Sequence, residues 1–187
     1  MVIAHAVHET GRRETIGLDV GEAETEAFWR DFLRSLVARG LVGVQLAISD
    51  AHPGLKNALA QVLGAPWQRC TAYFLRDLRG HVRKDQHDVL GALVRGIFTA
   101  NSLQEARGRL GEAIAQLERR LPKIAGMLED AEDDVLAFYA FPAEHWSKLR
   151  STNPLSAAVR RLECESLGGS ERFAESARQM GSGTRAS

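Results

Sequence analysis

Apolar and polar residues alternate near the start of the chain and follow a helical spacing soon afterwards. Two stretches rich in β-branched residues, 2–7 and 14–20, flank a turn that contains Gly11, and this pattern predicts a β-hairpin. The outer strand of such a hairpin would expose an unpaired edge, which favours a further strand before it. From Thr25 to Arg39 apolar side chains recur every three to four residues, so a helix is predicted there, with Gly40 at its end.

A buried strand and a second helix are predicted next. The run from Val42 to Ile48 is mostly apolar and places Asp50 at the carboxyl end of the predicted strand. Pro53 suits the first turn of a helix, which Gly64 would end and whose apolar face consists of Leu55, Leu59, Val62 and Leu63. The order β-β-α-β-α predicts an α/β fold.

Beyond Trp67 the strand pattern fades and helical spacing dominates. Ser102 and Glu105 form a capping box at the start of one helix, and Pro122 interrupts the pattern that follows. The predicted helices are 76–82, 89–98, 103–121, 124–138 and 142–149. Asn153 and Pro154 predict another helix start, and the last residues have the composition of a disordered or weakly helical tail.

Composition limits the classes of protein to consider. The chain has 187 residues, enough for one real core, and its 24 Lys and Arg balance its 24 Asp and Glu, so any nucleic-acid surface must be local. Cys70 and Cys164 are far apart and belong to no metal-binding pattern, which argues against a disulfide scaffold or a structural zinc site. Without a long apolar run or a signal peptide, the sequence predicts a soluble, cytoplasmic protein with no membrane partner.

Asp50 is the leading candidate for chemistry. Open α/β sheets gather ligands at the carboxyl ends of their strands, where Asp50 is predicted to lie. Phosphoryl transfer by two metal ions needs carboxylates in such a place, because they hold the Mg²⁺ pair. The alternative is that Asp50 caps the following helix or turn, which is a common role for aspartate.

A basic set and one tryptophan are candidates for contact with DNA. The basic set could touch phosphates or could be a solvated face, since Asp77 interrupts it and Asp85 follows it. Its members are Arg69, Arg76, Arg79, Arg83 and Lys84. Trp146 could stack on an unpaired base, or it could belong to the core with the aromatic residues before it. Cys70, which lies near aromatic residues, fits a small buried side chain better than a nucleophile.

Three stretches resemble, in order and spacing, the Mutator-type bacterial insertion-sequence transposases. They are GLDVGE at 17–22 leading to AFW at 27–29, ISDAHPGLK at 48–56 leading to WQRC at 67–70, and FPAEHW at 141–146 leading to STNPL at 151–155. The resemblance implies a partial ribonuclease H-like domain with an all-helical insertion, in which two aspartates and a glutamate bind Mg²⁺ and cut DNA at the insertion-sequence ends. By position, it implies that Asp50 is the second aspartate, a catalytic residue and a metal ligand.

The sequence departs from this pattern at several positions. The family's first aspartate lies upstream of the hairpin, and Asp19 belongs to a different motif. Ser156 stands where the glutamate is expected, and Tyr73 where the family usually has histidine. The resemblance is expected to stop at Leu155, as it would after a frameshift. We therefore expect a transposase fragment that binds Mg²⁺ weakly and cleaves DNA little or not at all.

The resemblance also divides the chain into segments. They are a partial catalytic core at 1–75, the helical insertion at 76–150, the start of a returning core helix at 151–163 and a tail at 164–187. The alternative function is a noncatalytic module, in which the helical block binds DNA, a second copy of the chain or an intact transposase.

Overall fold

A β-hairpin opens the described part of the chain, which in this computed structural model comprises residues 2–8, 11–21 and 25–152. Strands β1 (Val2–Val7) and β2 (Arg13–Asp19) pair antiparallel, with a register shift between Ala4 and His5. Gly11 lies in the turn with φ +80°, a conformation that residues with a Cβ rarely adopt. The predicted hairpin is therefore confirmed.

Two helices form the layer that packs beside the strands. Helix α1 (Glu26–Ala38) is capped by Thr25, whose hydroxyl accepts a hydrogen bond from the Phe28 amide at 3.2 Å. Gly40 follows its last turn with φ +102°, as its predicted position requires. Helix α2 (Pro53–Val62) begins with proline in its first turn. Both helices match the sequence prediction.

A short parallel pair of strands, β3 (Ala47–Ser49) and β4 (Trp67–Arg69), surrounds α2 in the sequence. The prediction of a strand over 42–48 is wrong in extent, because Gly43 has φ +68° and Val42 is 82% exposed, so the chain there is not part of a sheet. Strand β4 was not predicted. Each of the two sheets has two strands within the described residues, and the architecture is mixed α/β.

The first hydrophobic core joins the two sheets to α1 and α2. Its buried members are Trp29, Phe32, Leu33, Leu36, Leu55, Ala58 and Leu59. Val2 and Ile16 from the hairpin, and Ala47 and Trp67 from the parallel pair, pack against this cluster. One helical layer therefore covers both sheets.

The rest of the described chain is helical. Helix α3 (Thr71–Gly80) leads through a 3₁₀ turn (Lys84–Gln86) to α4 (His87–Phe98), and the block continues with α5 (Leu103–Leu117), α6 (Pro122–Asp130), α7 (Glu132–Leu136), a second 3₁₀ turn (Ala137–Ala140) and α8 (Ala143–Leu149). The predicted helices are present, and the Ser102 hydroxyl accepts from the Glu105 amide at 3.1 Å, which is one half of the predicted capping box. The Glu105 carboxylate accepts from the Asn101 amide at 2.8 Å rather than from the Ser102 amide.

The boundaries of the helical block differ from the prediction in three ways. Helix α5 ends at Leu117 rather than at Leu121. Helix α3 begins directly after β4, at Thr71 rather than Arg76. The single helix predicted over 124–138 is interrupted at Ala131, which is both the last cap of α6 and the first cap of α7. None of the helices in the described ranges is long and apolar enough to cross a bilayer.

A second hydrophobic core lies within the helical block. Its most deeply buried members include Phe74, Leu78, Val94, Ile97, Leu110, Ile124, Leu128 and Phe138. Gln68 ties β4 to this block, because its amide donates to the Val135 carbonyl at 2.9 Å and accepts from the Phe138 amide at 2.8 Å. The predicted helix over 151–163 and the tail from 164 to 187 lie outside the described residues, apart from Ser151 and Thr152.

Candidate functional site

Asp50 follows β3 directly and is exposed, at the carboxyl end of the strand as predicted. It does not cap the next helix: the cap of α2 is His52, whose ring nitrogen Nδ1 accepts from the Leu55 amide at 3.2 Å. The alternative in which Asp50 is that helix cap is therefore wrong. Asp50 lines a groove.

This groove has a volume of about 420 Å³ and is open to solvent. It is lined by Asp50, Ala51, Arg69, Tyr73, Arg76, Asp77, Gly80 and His81. The sheet topology explains why Asp50 and Arg69 lie in the same groove. Ser49 pairs with Arg69 in the parallel sheet, so the two strands end at the same edge. Helix α3 starts immediately after β4, so side chains at helical spacing from Arg69 reach the same groove.

Arg69 is the most enclosed charged group in the groove, with 15% of its side chain exposed. Its guanidinium lies 4.6 Å from the centre of the Phe74 ring, and Nη2 donates to Oδ2 of Asp77 at 2.8 Å. Nε is buried and has no hydrogen-bond partner among the described residues. Arg69 also borders a smaller cavity of about 170 Å³, which it shares with Met127, Asp130, Ala131 and Asp134.

Arg76 is the other arginine of the groove. It is exposed, and its guanidinium lies 4.4 Å from the centre of the Tyr73 ring. It forms no ion pair with any residue that the structure describes. An exposed cation held against an aromatic face, beside Asp50, is well placed to meet a phosphate.

The remaining members of the basic set do not line the groove. Arg79 lies across α4, where a Cβ added to Gly91 would come within 2.7 Å of its Nη2, and its Nε is buried. Arg83 pairs with Asp85 at 3.4 Å in an exposed position. Lys84 is exposed at the start of the 3₁₀ turn. The five predicted basic residues thus fall into a groove pair and three that lie elsewhere.

Trp146 packs against the second core. Its indole Nε1 donates to the Phe141 carbonyl at 2.7 Å, and its ring lies 4.6 Å from Tyr139 and 6.3 Å from Phe138, edge to face in both cases. The side chain is half-buried. This is the arrangement described by the core alternative for Trp146.

Cys70 brings the third sequence stretch back to the second. The fully buried thiol accepts from the Thr152 amide at 3.4 Å and from its hydroxyl at 3.3 Å, and the Thr71 amide donates to the Arg150 carbonyl at 2.9 Å. Burial raises the pKa of the Cys70 thiol, but hydrogen bonds from Thr152, Tyr73 and Ser151 outweigh it, and the pKa lies below its ordinary value.

The described residues do not by themselves fit a pair of magnesium ions. They contain no group of three His, Cys, Asp or Glu side chains that could share a metal. Asp50 shares its groove with the carboxylate of Asp77, which Arg69 already holds, and with the guanidinium of Arg76. Two carboxylates, one of them paired with Arg69, are a poor donor set for Mg²⁺, which prefers several oxygen ligands.

Besides Ala51 and Gly80, three groove residues with polar side chains were not among the predicted site residues: Tyr73, Asp77 and His81. Nε2 of His81 lies 3.7 Å from Oδ1 of Asp77, so this carboxylate stands between His81 and Arg69. The signal was present in the sequence, because positions 73, 76, 77 and 80 share one face of a helix that begins near Arg69. A helix predicted to begin at Arg76 leaves Tyr73 outside it, so that prediction does not place Tyr73 and Asp77 on one face.

Comparison with known proteins places the chain in a family. The family described as "Transposase, Mutator family" matches residues 1–165. This match continues past Leu155, so the expected loss of resemblance at that residue is wrong in position. The chain is 39% identical to the transposase for insertion sequence element IS406 of Burkholderia multivorans, over 87% of the chain and 42% of that protein.

Two further relatives agree. The chain is 37% identical to the transposase for IS1081 of Mycobacterium tuberculosis, over 86% of the chain and 40% of the relative. It is 33% identical to the transposase for IS256 in transposon Tn4001 of Staphylococcus aureus, over 86% and 43%. The chain thus spans about two fifths of the length of these relatives. On this evidence the chain belongs to the Mutator family of transposases.

Proposed function

We propose that this chain is part of the ribonuclease H-like catalytic domain of an insertion-sequence DNA transposase, and that the groove beside Asp50 is its DNA-facing surface. One observation carries the proposal: Asp50 lies at the carboxyl edge of a parallel strand pair, in the same groove as Arg69 and Arg76. Carboxylates and cations in one groove are what phosphoryl transfer on DNA requires.

The order and packing of the elements support the ribonuclease H-like part of the proposal. An antiparallel hairpin, a helix and a parallel β-α-β unit come first, and a helical block follows. The two hydrophobic cores support a division into a partial catalytic core and a helical insertion. The residues of one core lie within 1–75, and those of the other lie mostly within 76–150. The contact between Cys70 and Thr152 closes the helical block back onto the end of β4, as an insertion requires.

The roles of the groove residues follow from their chemistry. Asp50 is the carboxylate that we assign to a divalent-metal site. Because the described residues contain no group of three potential ligands, Mg²⁺ binding there should be weak. Arg69 and Arg76 contact phosphates, which positions a DNA strand without reading its sequence. Arg79, Arg83, Lys84 and Trp146 lie outside the groove, so a role for them in DNA binding would need a second surface.

The relatives are named as transposases of insertion sequences, and the chain shares about two fifths of their length. We therefore place the proposed activity in a complete transposase, with the DNA at the ends of an insertion sequence as substrate. Ser156 stands where the resemblance expects a glutamate. We therefore propose that this chain binds DNA but does not cut it.

A noncatalytic binding module is the second candidate, and the incomplete donor set around Asp50 favours it. In that case the chain binds DNA, a second copy of itself or an intact transposase through its groove and helical block. The two candidates share DNA binding and differ in strand cleavage, which can be measured separately.

DNA binding at the groove can be tested by fluorescence anisotropy with a labelled 20-base-pair duplex of arbitrary sequence. We expect weak binding that fades as salt is raised, since the formal net charge is zero. Arg76→Ala should weaken binding and lower the salt slope by about one. The matched control is Arg34→Ala, an exposed arginine of α1 that does not line the groove.

The control separates a groove effect from a loss of general charge. Equal weakening by Arg76→Ala and Arg34→Ala would contradict a DNA-facing groove. Tight binding that resists salt and prefers one terminal sequence would also contradict it, because that behaviour requires contacts to bases.

A further inference from the structure

Asp77 stands between two basic side chains of the groove. Its Oδ2 accepts from Nη2 of Arg69 at 2.8 Å, and its Oδ1 lies 3.7 Å from Nε2 of His81. Its side chain is 46% exposed and lines the same groove as Asp50. The carboxylate thus occupies the position relative to Arg69 that a phosphate oxygen would take.

Arg69 has packing contacts besides its ion pair with Asp77. Its guanidinium is stacked on Phe74 and its side chain is largely enclosed by the protein. Loss of the Asp77 charge should therefore leave the arginine in the groove with a vacant donor edge. An arginine held in advance binds a phosphate with less loss of side-chain entropy than a mobile one.

Charge in the groove also favours this view. Two carboxylates, Asp50 and Asp77, face two guanidinium groups, so the groove has little net attraction for phosphate while Asp77 is ionised. Of the two arginines, only Arg76 is without an acidic partner among the described residues.

We propose that Asp77 is an internal competitor for phosphate: it holds Arg69 while the groove is empty, and a DNA phosphate takes its place on Arg69 when DNA binds. This inference rests on the proposed function of the groove. Asp77 then restrains DNA affinity, whereas the sequence pattern shows only that Asp77 interrupts the basic set.

The test is DNA binding by Asp77→Asn, measured by anisotropy with the same arbitrary 20-base-pair duplex over a range of salt. In this variant the phosphate no longer has to displace a carboxylate from Arg69, so the affinity should rise by roughly three- to tenfold near 0.1 M salt. The salt slope should steepen by about one, because no freed carboxylate takes up a cation when DNA binds. Asp31→Asn is the matched control, because it removes the same charge and releases Arg34 from an exposed pair on α1.

A second comparison asks whether Arg69 is the group that Asp77 restrains. The gain from Asp77→Asn should vanish in an Arg69→Gln background, as a double-mutant cycle measures. Thermal unfolding of each variant verifies that it is folded. If Arg69→Gln does not fold, the change in salt slope of Asp77→Asn against that of Asp31→Asn still decides the question.

The results separate this inference from the proposed function. If Arg76→Ala weakens binding but Asp77→Asn does not strengthen it, the groove binds DNA and Asp77 is no competitor. An equal gain in Asp31→Asn, or a gain that persists with Arg69→Gln, would also overturn the inference. Absence of DNA binding in both the unmodified chain and Asp77→Asn would overturn the inference and the proposed function together.

Discussion

The thiol of Cys70 accepts a hydrogen bond from the hydroxyl of Thr152 at 3.3 Å, across 82 positions of the sequence. These two residues stand at the two ends of the helical block, immediately after β4 and after α8. The contact brings Ser151 and Thr152 beside the strand edge at which Asp50 lies. It makes the groove and the end of the described chain parts of one local structure.

Replacing Thr152 with valine should destabilise the fold. The variant loses one donor to the buried Cys70 thiol, and a single hydrogen bond of this kind contributes about 0.5–1 kcal/mol. The free energy of unfolding, measured by chemical denaturation at about pH 6, gives the size of the loss.

The loss should grow at alkaline pH. The pKa of Cys70 in the folded chain lies below its ordinary value, so its ionisation adds stability above the ordinary thiol pKa, and this stability disappears as the pH falls through the folded pKa. Thr152→Val weakens that effect, and its deficit should therefore be larger near pH 10 than near pH 6. Thr99→Val is the control, because the Thr99 hydroxyl donates to the Arg95 carbonyl and not to a titratable group. Its loss of unfolding free energy should be independent of pH.

Replacing Gln68 with leucine should be strongly destabilising. Gln68 is fully buried, and the change leaves the Val135 carbonyl and the Phe138 amide without their partner. Two unsatisfied buried backbone groups cost about 2–4 kcal/mol together. Gln61→Leu is the matched control, since Gln61 is exposed, and it should change the unfolding free energy by less than about 0.5 kcal/mol. Similar losses in both variants would show that Gln68 does not join β4 to the helical block.

The long periodic elements were predictable from sequence, and the short ones were not. Helix α1 has a cap at Thr25, an apolar face and Gly40 after its end, and each signal alone points to the same element. Strand β4 has only three residues, and its position depends on pairing with β3 and on the buried amide of Gln68. Such long-range pairing leaves no periodic pattern, so no local rule identifies it.

The candidate site was partly predictable for the same reason. Asp50 could be found because it follows an apolar run, and Arg69 and Arg76 because basic residues cluster there. Which members of the cluster face Asp50 depends on where α3 begins, and a start at Thr71 turns Arg76 toward the groove and Arg79 toward α4. Nothing in the local sequence decides that start, since it is set by the end of β4.

Alanine at Gly17 should destabilise the hairpin on α1. A Cβ at this buried position would lie 2.6 Å from Cδ2 of Leu36 and 3.2 Å from the Phe32 ring, so these packed side chains or the helix that carries them must shift. Overpacking of this kind costs about 1–3 kcal/mol. Gly111→Ala in α5 is the control, because a Cβ there meets nothing within 4 Å and alanine favours a helix by about 0.5–1 kcal/mol. Thermal unfolding should therefore shift in opposite directions, and a shift in the same direction would contradict the close contact.

The purified 187-residue chain should neither nick nor join DNA that carries insertion-sequence ends, with Mg²⁺ or Mn²⁺ supplied. Within the described residues Asp50 belongs to no group of three potential ligands, and Ser156 offers a hydroxyl where the resemblance expects a carboxylate. A metal pair needs several carboxylate oxygens to be held in place, so the reaction lacks its charge stabilisation. Gel analysis of a supercoiled plasmid and of labelled ends measures both steps, with Asp50→Ala as the matched preparation. Products that appear with the unmodified chain and disappear with Asp50→Ala would contradict the prediction, and would mean that Asp50 recruits the other ligands from residues outside the described part of the chain.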